Sequence, residues 1–150
     1  AGRFGSGRRH QPLRDAAWLA LLAALGLSLL ALLPATPAPV GGVEWSADTL
    51  PAGQVGGDFF DFVPLSDDRM MVVVADVSGK GVPASLFMAV TKALSKSVAL
   101  RGAAGAGAIL SATNTEIARE NPELLFVTAV AGVLDVETGA LELSIRHQLP

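Results

Sequence analysis

The sequence contains no cysteine and only two histidines among its 150 residues. The absence of cysteine excludes disulfides, a cysteine nucleophile and thiolate metal sites, and it is compatible with a reducing compartment. Ser78 has no histidine within its own motif, and the two histidines, His10 and His147, lie in the least interpretable regions of the sequence, which argues against a Ser/His/Asp triad. A phosphate-binding P-loop is also missing, because Val74 stands five residues before Gly79, where that motif requires glycine.

Basic residues are scarce outside the amino-terminal end. Residues 1–15 hold four arginines and one aspartate and are predicted to be a basic, flexible segment, whereas residues 16–150 hold seven basic and thirteen acidic residues. A chain without a basic stripe is a poor candidate for binding nucleic acid. Charged residues make up 17% of the chain and apolar residues 51%, which favours a folded domain over disorder.

Residues 16–33, AAWLALLAALGLSLLALL, carry no charged side chain. Eighteen such residues lie at the lower limit for a membrane span and also fit the core of a signal peptide. A third interpretation is a helix packed on a partner helix, because a helix that is apolar on all sides is buried in lipid or in protein. We predict a transmembrane or linker helix here, followed by a Pro- and Gly-rich linker over residues 34–42.

Two strand-forming runs follow, DFFDFVP and MMVVVAD, the first beginning with Asp58 and the second ending with Asp76. The polar cluster SDDR between them is typical of a turn, so the two runs are predicted to form a β-hairpin. With the turn centred on Asp67, Asp58 lies opposite Asp76. Directly opposed side chains on antiparallel strands point to the same face, with Cβ atoms roughly 4.5 to 5.5 Å apart.

Two carboxylates about 5 Å apart repel each other by roughly 3 kcal/mol at an effective dielectric constant of about 20, so a positive group is expected between them. A proton, a lysine or a divalent cation would serve, and Mg²⁺ or Mn²⁺ prefers carboxylates, carbonyls and water as ligands. Gly57 and Gly79 allow the backbone to approach and turn beside the pair, where the Val77 carbonyl can lie next to the Asp76 carboxylate. Two solvated aspartates at ordinary strand ends are the alternative.

The rest of the chain alternates between helical and strand patterns. One helix is predicted over residues 83–101 and a second over about 106–119. The first carries apolar residues at a spacing of four, which predicts one amphipathic stripe: Leu86, Val90, Leu94 and Val98. ELLFVTAVAGVLDV and ALELSI, joined by ETG, predict a second hairpin. With one more strand ahead of the first hairpin, the order is three strands, two helices and two strands, an α+β fold with antiparallel sheets.

Four segments together resemble the SpoIIE/RsbU branch of the PPM-type, metal-dependent serine/threonine protein phosphatases: LLPATPAPVGGVEW, PAGQVGGDFFDF, VVVADVSGKGVPASLFMAVTKALSK and NPELLFVTAVAGVLDVETGALE. They occur in the order and spacing typical of that family. The resemblance implies an antiparallel β-sandwich flanked by helices, of which residues 43–150 would form the amino-terminal part. It also implies that Asp58, Asp76 and the Val77 carbonyl bind a pair of Mn²⁺ or Mg²⁺ ions.

The same motifs contain residues that are expected to support the site without binding the ions: Gly57, Asp61, Gly79 and Lys80. Asp61 has the opposite strand parity from Asp58, so its side chain is predicted to point to the other face of the sheet. Lys80 is either a phosphate contact or a solvated turn residue.

The implied activity is hydrolysis of phosphoserine or phosphothreonine by an activated water, without a protein nucleophile. By the same resemblance, the partner is a phosphorylated regulatory protein, such as a STAS-type anti-anti-sigma factor, in bacterial signalling. The catalytic domain is then expected to be cytoplasmic, with membrane contact through residues 16–33 if they span a bilayer, and it is a candidate homodimer.

The later metal-binding aspartates of the family have no counterpart before Pro150. The alternative function is therefore a non-catalytic, truncated or pseudophosphatase fragment, tethered to the membrane, which binds a regulator without turnover.

Overall fold

The structure, a computed structural model, describes Leu21 and residues 40–48, 56–102, 104–119, 121 and 124–147. The chain divides into two compact units, Ala1–Leu32 and Leu33–Pro150. The apolar helix predicted over residues 16–33 lies outside the described residues, apart from Leu21. Among the described residues, no helix is both long and apolar enough to cross a membrane.

The second unit combines an antiparallel sheet with two helices, which confirms the predicted α+β class. Its elements follow the chain in this order: β1 Phe59–Pro64, β2 Arg69–Val77, α1 Val82–Leu100, α2 Ala106–Arg119, β3 Val127–Asp135 and β4 Leu141–His147. The strands lie in the sheet in the order β1-β2-β3-β4. Both predicted hairpins and both predicted helices are therefore present.

The strand predicted ahead of the first hairpin is wrong for the residues that the structure describes. There, the segment before β1 contains an isolated bridge between Val40 and Val43. Gly41 and Gly42 both have positive φ angles, so the chain turns back at once and leaves too few residues for a ladder.

The register of the first hairpin agrees with the centred turn. Phe59 pairs with Ala75 and Pro64 pairs with Met70. The turn closes with the N–H group of Leu65 donating to the carbonyl of Arg69 at 2.9 Å. Because this register continues toward the chain start, position 58 falls opposite position 76.

The two faces of the sheet have different surroundings. One face packs under α1 and α2, and its side chains form the core together with helical residues such as Met88 and Ile109. The opposite face carries exposed apolar side chains: Val74, Val130, Leu141, Leu143 and Ile145. Of the sandwich that the resemblance implied, the described residues thus form one sheet with helices on one side.

Helix α1 buries mostly small and polar side chains against the sheet, and Val98 is the one residue of the predicted apolar stripe that is buried. Leu86 and Val90 are 44% and 52% exposed, whereas Val98 is buried, so the prediction that these residues form one stripe is wrong. A spacing of four residues advances by about 40° per step around a helix of 3.6 residues per turn, so Leu86 and Val98 cannot share one face. The buried residues of α1 are Ala84, Ser85, Met88, Thr91, Lys92, Ser95, Val98 and Ala99.

A buried ion pair joins α1 to β1. The Nζ atom of Lys92 lies 4.0 Å from Oδ2 of Asp61, and both side chains are less than a tenth exposed. The other carboxylate oxygen of Asp61 accepts the Phe62 N–H group at 3.0 Å. Burial lowers the pKa of the Lys92 ammonium group, the charge of Asp61 opposes that shift, and Lys96 adds to it. The ion pair therefore connects the middle of α1 to β1. Its contact point on β1, Asp61, is three residues after Asp58.

We expect Lys92→Met to lower the free energy of unfolding by about 3 kcal/mol, because it leaves the Asp61 carboxylate buried without its cation. The double variant Asp61→Asn/Lys92→Met should cost less than the sum of the two single changes. Urea unfolding of the wild type, both single variants and the double variant measures this coupling. Lys96→Met, an exposed change on the same helix, is the control and should cost less than about 0.5 kcal/mol. Strictly additive costs would show that the two charges do not interact.

Candidate metal centre

Two carboxylates meet at one end of the sheet, on the face away from the helices. Asp58 precedes β1 by one residue, and Asp76 is the last residue but one of β2. The pKa of Asp76 is raised, first by a hydrogen bond between its carboxyl group and that of Asp58, then by burial and by the charge of Asp58. A raised pKa is the direction expected when two carboxyl groups lie this close, because each disfavours ionisation of the other.

The carboxylates line an open cleft of about 670 Å³. Apolar side chains from the same sheet face, Phe60, Val74 and Val130, form much of its wall. Two further polar residues line it that the sequence pattern did not single out, Asp48 and Thr128. The cleft thus offers oxygen-bearing groups at one end of an otherwise apolar surface.

The carbonyl of Val77 lies against Gly57. Val77 follows Asp76 in the chain, and Gly57 precedes Asp58. A Cβ atom at Gly57 would be 2.8 Å from the Val77 oxygen and 3.1 Å from the Val77 Cβ atom. Real Cβ atoms do not approach a backbone oxygen so closely, so any larger residue at position 57 would push the two strands apart. Gly57 therefore allows the chain before β1 to approach the Val77 carbonyl, as its place in the motif suggested.

The donor set fits one hard divalent cation. Two carboxylates and a carbonyl are the oxygen ligands that Mg²⁺ and Mn²⁺ prefer, and Mg²⁺ is commonly held by one or two carboxylates with water completing its shell. Within the described parts of the chain, no three acidic, histidine or cysteine side chains lie close enough together to hold a metal ion. These residues accordingly suit a single ion, and the second ion implied by the resemblance needs ligands beyond this set.

The loop after Asp76 is fixed by a reciprocal contact with the residue before β3. The Ser78 N–H group donates to the Phe126 carbonyl, and the Phe126 N–H group donates to the Ser78 hydroxyl, both at 2.8 Å. Gly79 and Gly81 have φ angles of +92° and +74°, which only glycine adopts easily. Exposed Lys80 lies between them, and α1 begins directly afterwards.

Asp61 lies apart from the other motif residues. It occupies the helix-covered face with Phe59, whereas the cleft opens on the opposite face. Its partner is Lys92 rather than the carboxylate pair. The structure therefore brings together Gly57, Asp58, Asp76 and Val77, and places Asp61 beneath the sheet.

Comparison with known proteins gives three findings. The family model for stage II sporulation protein E (SpoIIE) matches residues 66–150, which include Asp76, Val77, Gly79 and Lys80. The protein IcfG of Synechocystis sp. is 40% identical over 53 residues, which cover 34% of this chain and 8% of that protein.

A crystal structure of the RsbU and RsbW domains of Rv1364c from Mycobacterium tuberculosis is similar to this fold, with a TM-score of 0.54 and 29% identity. The match covers 63% of this chain and 26% of that one. This chain thus spans only a small share of both proteins. The family model nevertheless matches more than half of this chain, with the carboxylate of β2 inside the match. The chain belongs to the SpoIIE family.

Proposed function

We propose that this chain provides part of the active site of a Mn²⁺- or Mg²⁺-dependent phosphatase that removes phosphate from serine or threonine of a regulatory protein. The observation that carries the proposal is the close approach of Asp58 and Asp76, with the raised pKa of Asp76, at the end of an accessible cleft. Two carboxylates in this arrangement destabilise each other unless a positive group lies between them. A divalent cation meets that requirement at neutral pH.

In this proposal, the Asp58 and Asp76 carboxylates and the Val77 carbonyl hold the cation. A bound divalent cation would supply charge neutralisation for phosphoryl oxygens and a lowered pKa for water. The apolar wall formed by Phe60, Val74 and Val130 would limit the access of bulk water to a phosphorylated segment in the cleft. Lys80 and the amino terminus of α1 follow the Asp76 loop closely and would add positive potential for a phosphate.

The partner that we propose is a phosphorylated, STAS-type regulator in a bacterial signalling pathway, met in the cytoplasm. The similar crystal structure joins an RsbU domain to an RsbW domain, which supports a signalling role for this family member. The acidic character of residues 16–150 disfavours an acidic nucleic-acid partner.

A second candidate function is binding of such a regulator without turnover. It is favoured by one observation, that the described residues bring together two carboxylates and a carbonyl, fewer ligands than a pair of ions requires. The two functions differ in one measurable respect, because both allow cation binding and only the first requires release of phosphate.

The carboxylate pair should make stability depend on pH. The folded state raises the pKa of Asp76 above its usual value of 3.8, so the folded protein binds a proton more tightly than the unfolded chain. This contribution to stability is complete in acid and is lost as the pH rises through the raised pKa.

We therefore expect Asp76→Asn, which resembles the protonated form, to be more stable than wild type at pH 7 in EDTA, by up to about 1 kcal/mol for groups this exposed. The difference should shrink as the pH falls toward 4. Mn²⁺ at 100 times its Kd should reverse the order by stabilising wild type by about 2.7 kcal/mol. Thermal unfolding measures both effects, and Asp67→Asn in the exposed turn is the matched control. A less stable Asp76→Asn variant in EDTA at pH 7 would contradict the proposed repulsion.

The proposed activity is tested by calorimetric titration with Mn²⁺ and by phosphate release from p-nitrophenyl phosphate and a phosphoserine peptide in the same samples. We expect wild type to bind Mn²⁺ and release phosphate. Asp58→Asn and Asp76→Asn should each lose affinity on the order of 100-fold or more, because direct ligands matter at least as much as their outer partners. Binding without release would favour the second candidate function. A folded wild-type protein that does neither would refute both.

A further inference from the structure

A row of four polar residues crosses the whole sheet at the end where the carboxylates lie. In the register, Asp58 lies opposite Asp76, Asp76 pairs with Thr128, and Thr128 pairs with His147. Paired residues point to the same face of a sheet, so all four side chains belong to the face that carries the cleft. The two metal-ligand candidates are thus half of a row that continues over β3 and β4.

The neighbouring rows on the same face differ in character. The next row inward consists of Phe60, Val74, Val130 and Ile145. The row after that consists of Phe62, Val72, Gly132 and Leu143. Polar side chains at all four positions of the outermost row therefore contrast with apolar ones in the rows beside it.

Thr128 and His147 are joined to each other. The Thr128 hydroxyl and the Nδ1 atom of His147 form a hydrogen bond of 2.9 Å. The Phe126 ring packs edge-on against the imidazole, with ring centres 5.0 Å apart. Since the Phe126 backbone is also bonded to Ser78, the imidazole is connected to the loop that follows Asp76.

The position of Thr128 gives this pair a chemical role. Its side chain lines the cleft together with both carboxylates. A hydroxyl has one donor and two acceptor sites, so the bond to His147 leaves capacity for a second partner. The neighbouring side chain across the ladder is Asp76, within the roughly 5 Å that separates opposed Cβ atoms. Carboxylates that bind metals are commonly oriented by such an outer hydrogen bond.

We propose that Thr128 and His147 are positioning residues of the cation site, in which the Thr128 hydroxyl orients the Asp76 carboxylate and His147 fixes that hydroxyl. This inference rests on the proposed cation site at Asp58 and Asp76. Neither residue binds the cation in this arrangement, and His147 acts only through Thr128.

The test is calorimetric titration of the whole 150-residue chain with Mn²⁺. Thr128→Val, which keeps the shape and removes the hydroxyl, should lower the Mn²⁺ affinity about 10- to 100-fold, whereas Thr128→Ser should keep it. His147→Phe, which keeps the ring contact with Phe126 and removes the nitrogens, should lower the affinity about 10-fold. His147→Asn, whose side-chain amide can replace the Nδ1 bond, should restore it.

Two further variants separate positioning from a structural role. The double variant Thr128→Val/His147→Phe should bind Mn²⁺ no more weakly than Thr128→Val alone, because His147 acts through the hydroxyl. Thr115→Val is the control, since the Thr115 hydroxyl is exposed on α2 and bonds the Ser111 carbonyl. This control should leave the affinity unchanged. Thermal unfolding in EDTA shows that each variant is folded before titration.

Each outcome decides the proposal. Wild-type affinity in Thr128→Val would overturn the inference and leave the proposed function standing. Additive losses in the double variant would overturn the dependence of His147 on Thr128. Failure of the folded wild-type protein to bind Mn²⁺ would overturn the proposed function and, with it, this inference.

Discussion

The electrostatic repulsion between Asp58 and Asp76 is the constraint on which the rest of the site depends. Antiparallel pairing of β1 and β2 forces the two carboxyl groups to one face, and a hydrogen bond between them raises the pKa of Asp76. When both carboxyl groups are ionised, the hairpin holds two like charges close together. Gly57, the residue before Asp58, allows close approach to the carbonyl of Val77, the residue after Asp76. Local chain geometry alone therefore places the two carboxylates of the proposed cation site together.

The two faces of the sheet have different roles, because one contains the hydrophobic core and the other carries the cleft. The helix-covered face contains the core, and it also buries one charged pair, Asp61 with Lys92, within the same hairpin motif that supplies Asp58. Strand parity alone separates these two aspartates, since residues three positions apart in a strand point to opposite sides. One carboxylate stabilises the packing of α1, and the other faces the cleft. Their different surroundings explain how one short motif serves both purposes.

The pairing of Asp58 with Asp76 followed from the sequence because it is local. The polar turn Ser66–Asp67–Asp68 is centred on Asp67, and this centre predicts the register and the Asp58–Asp76 pair. The bounds of α2 and both hairpins followed from the same short-range patterns. The inward face of α1 did not, since Leu86 and Val90 satisfy a spacing that only approximates a helical turn, and small residues pack against the sheet instead.

Non-local pairing explains what the sequence left open. Thr128 becomes a neighbour of Asp76 only when β3 pairs with β2 across two intervening helices, and no turn between those strands sets that register. The core residues of β3, such as Val127 and Ala131, must face α1 and α2, and a slip by one residue would turn them outward. Burial of the core residues therefore selects the face of the sheet on which Thr128 lies. The alignment of apolar residues of β3 with those of β2 selects the residue of β2 that Thr128 pairs with. The carboxylate pair needs only the hairpin, whereas the row that adds Thr128 and His147 needs the complete sheet.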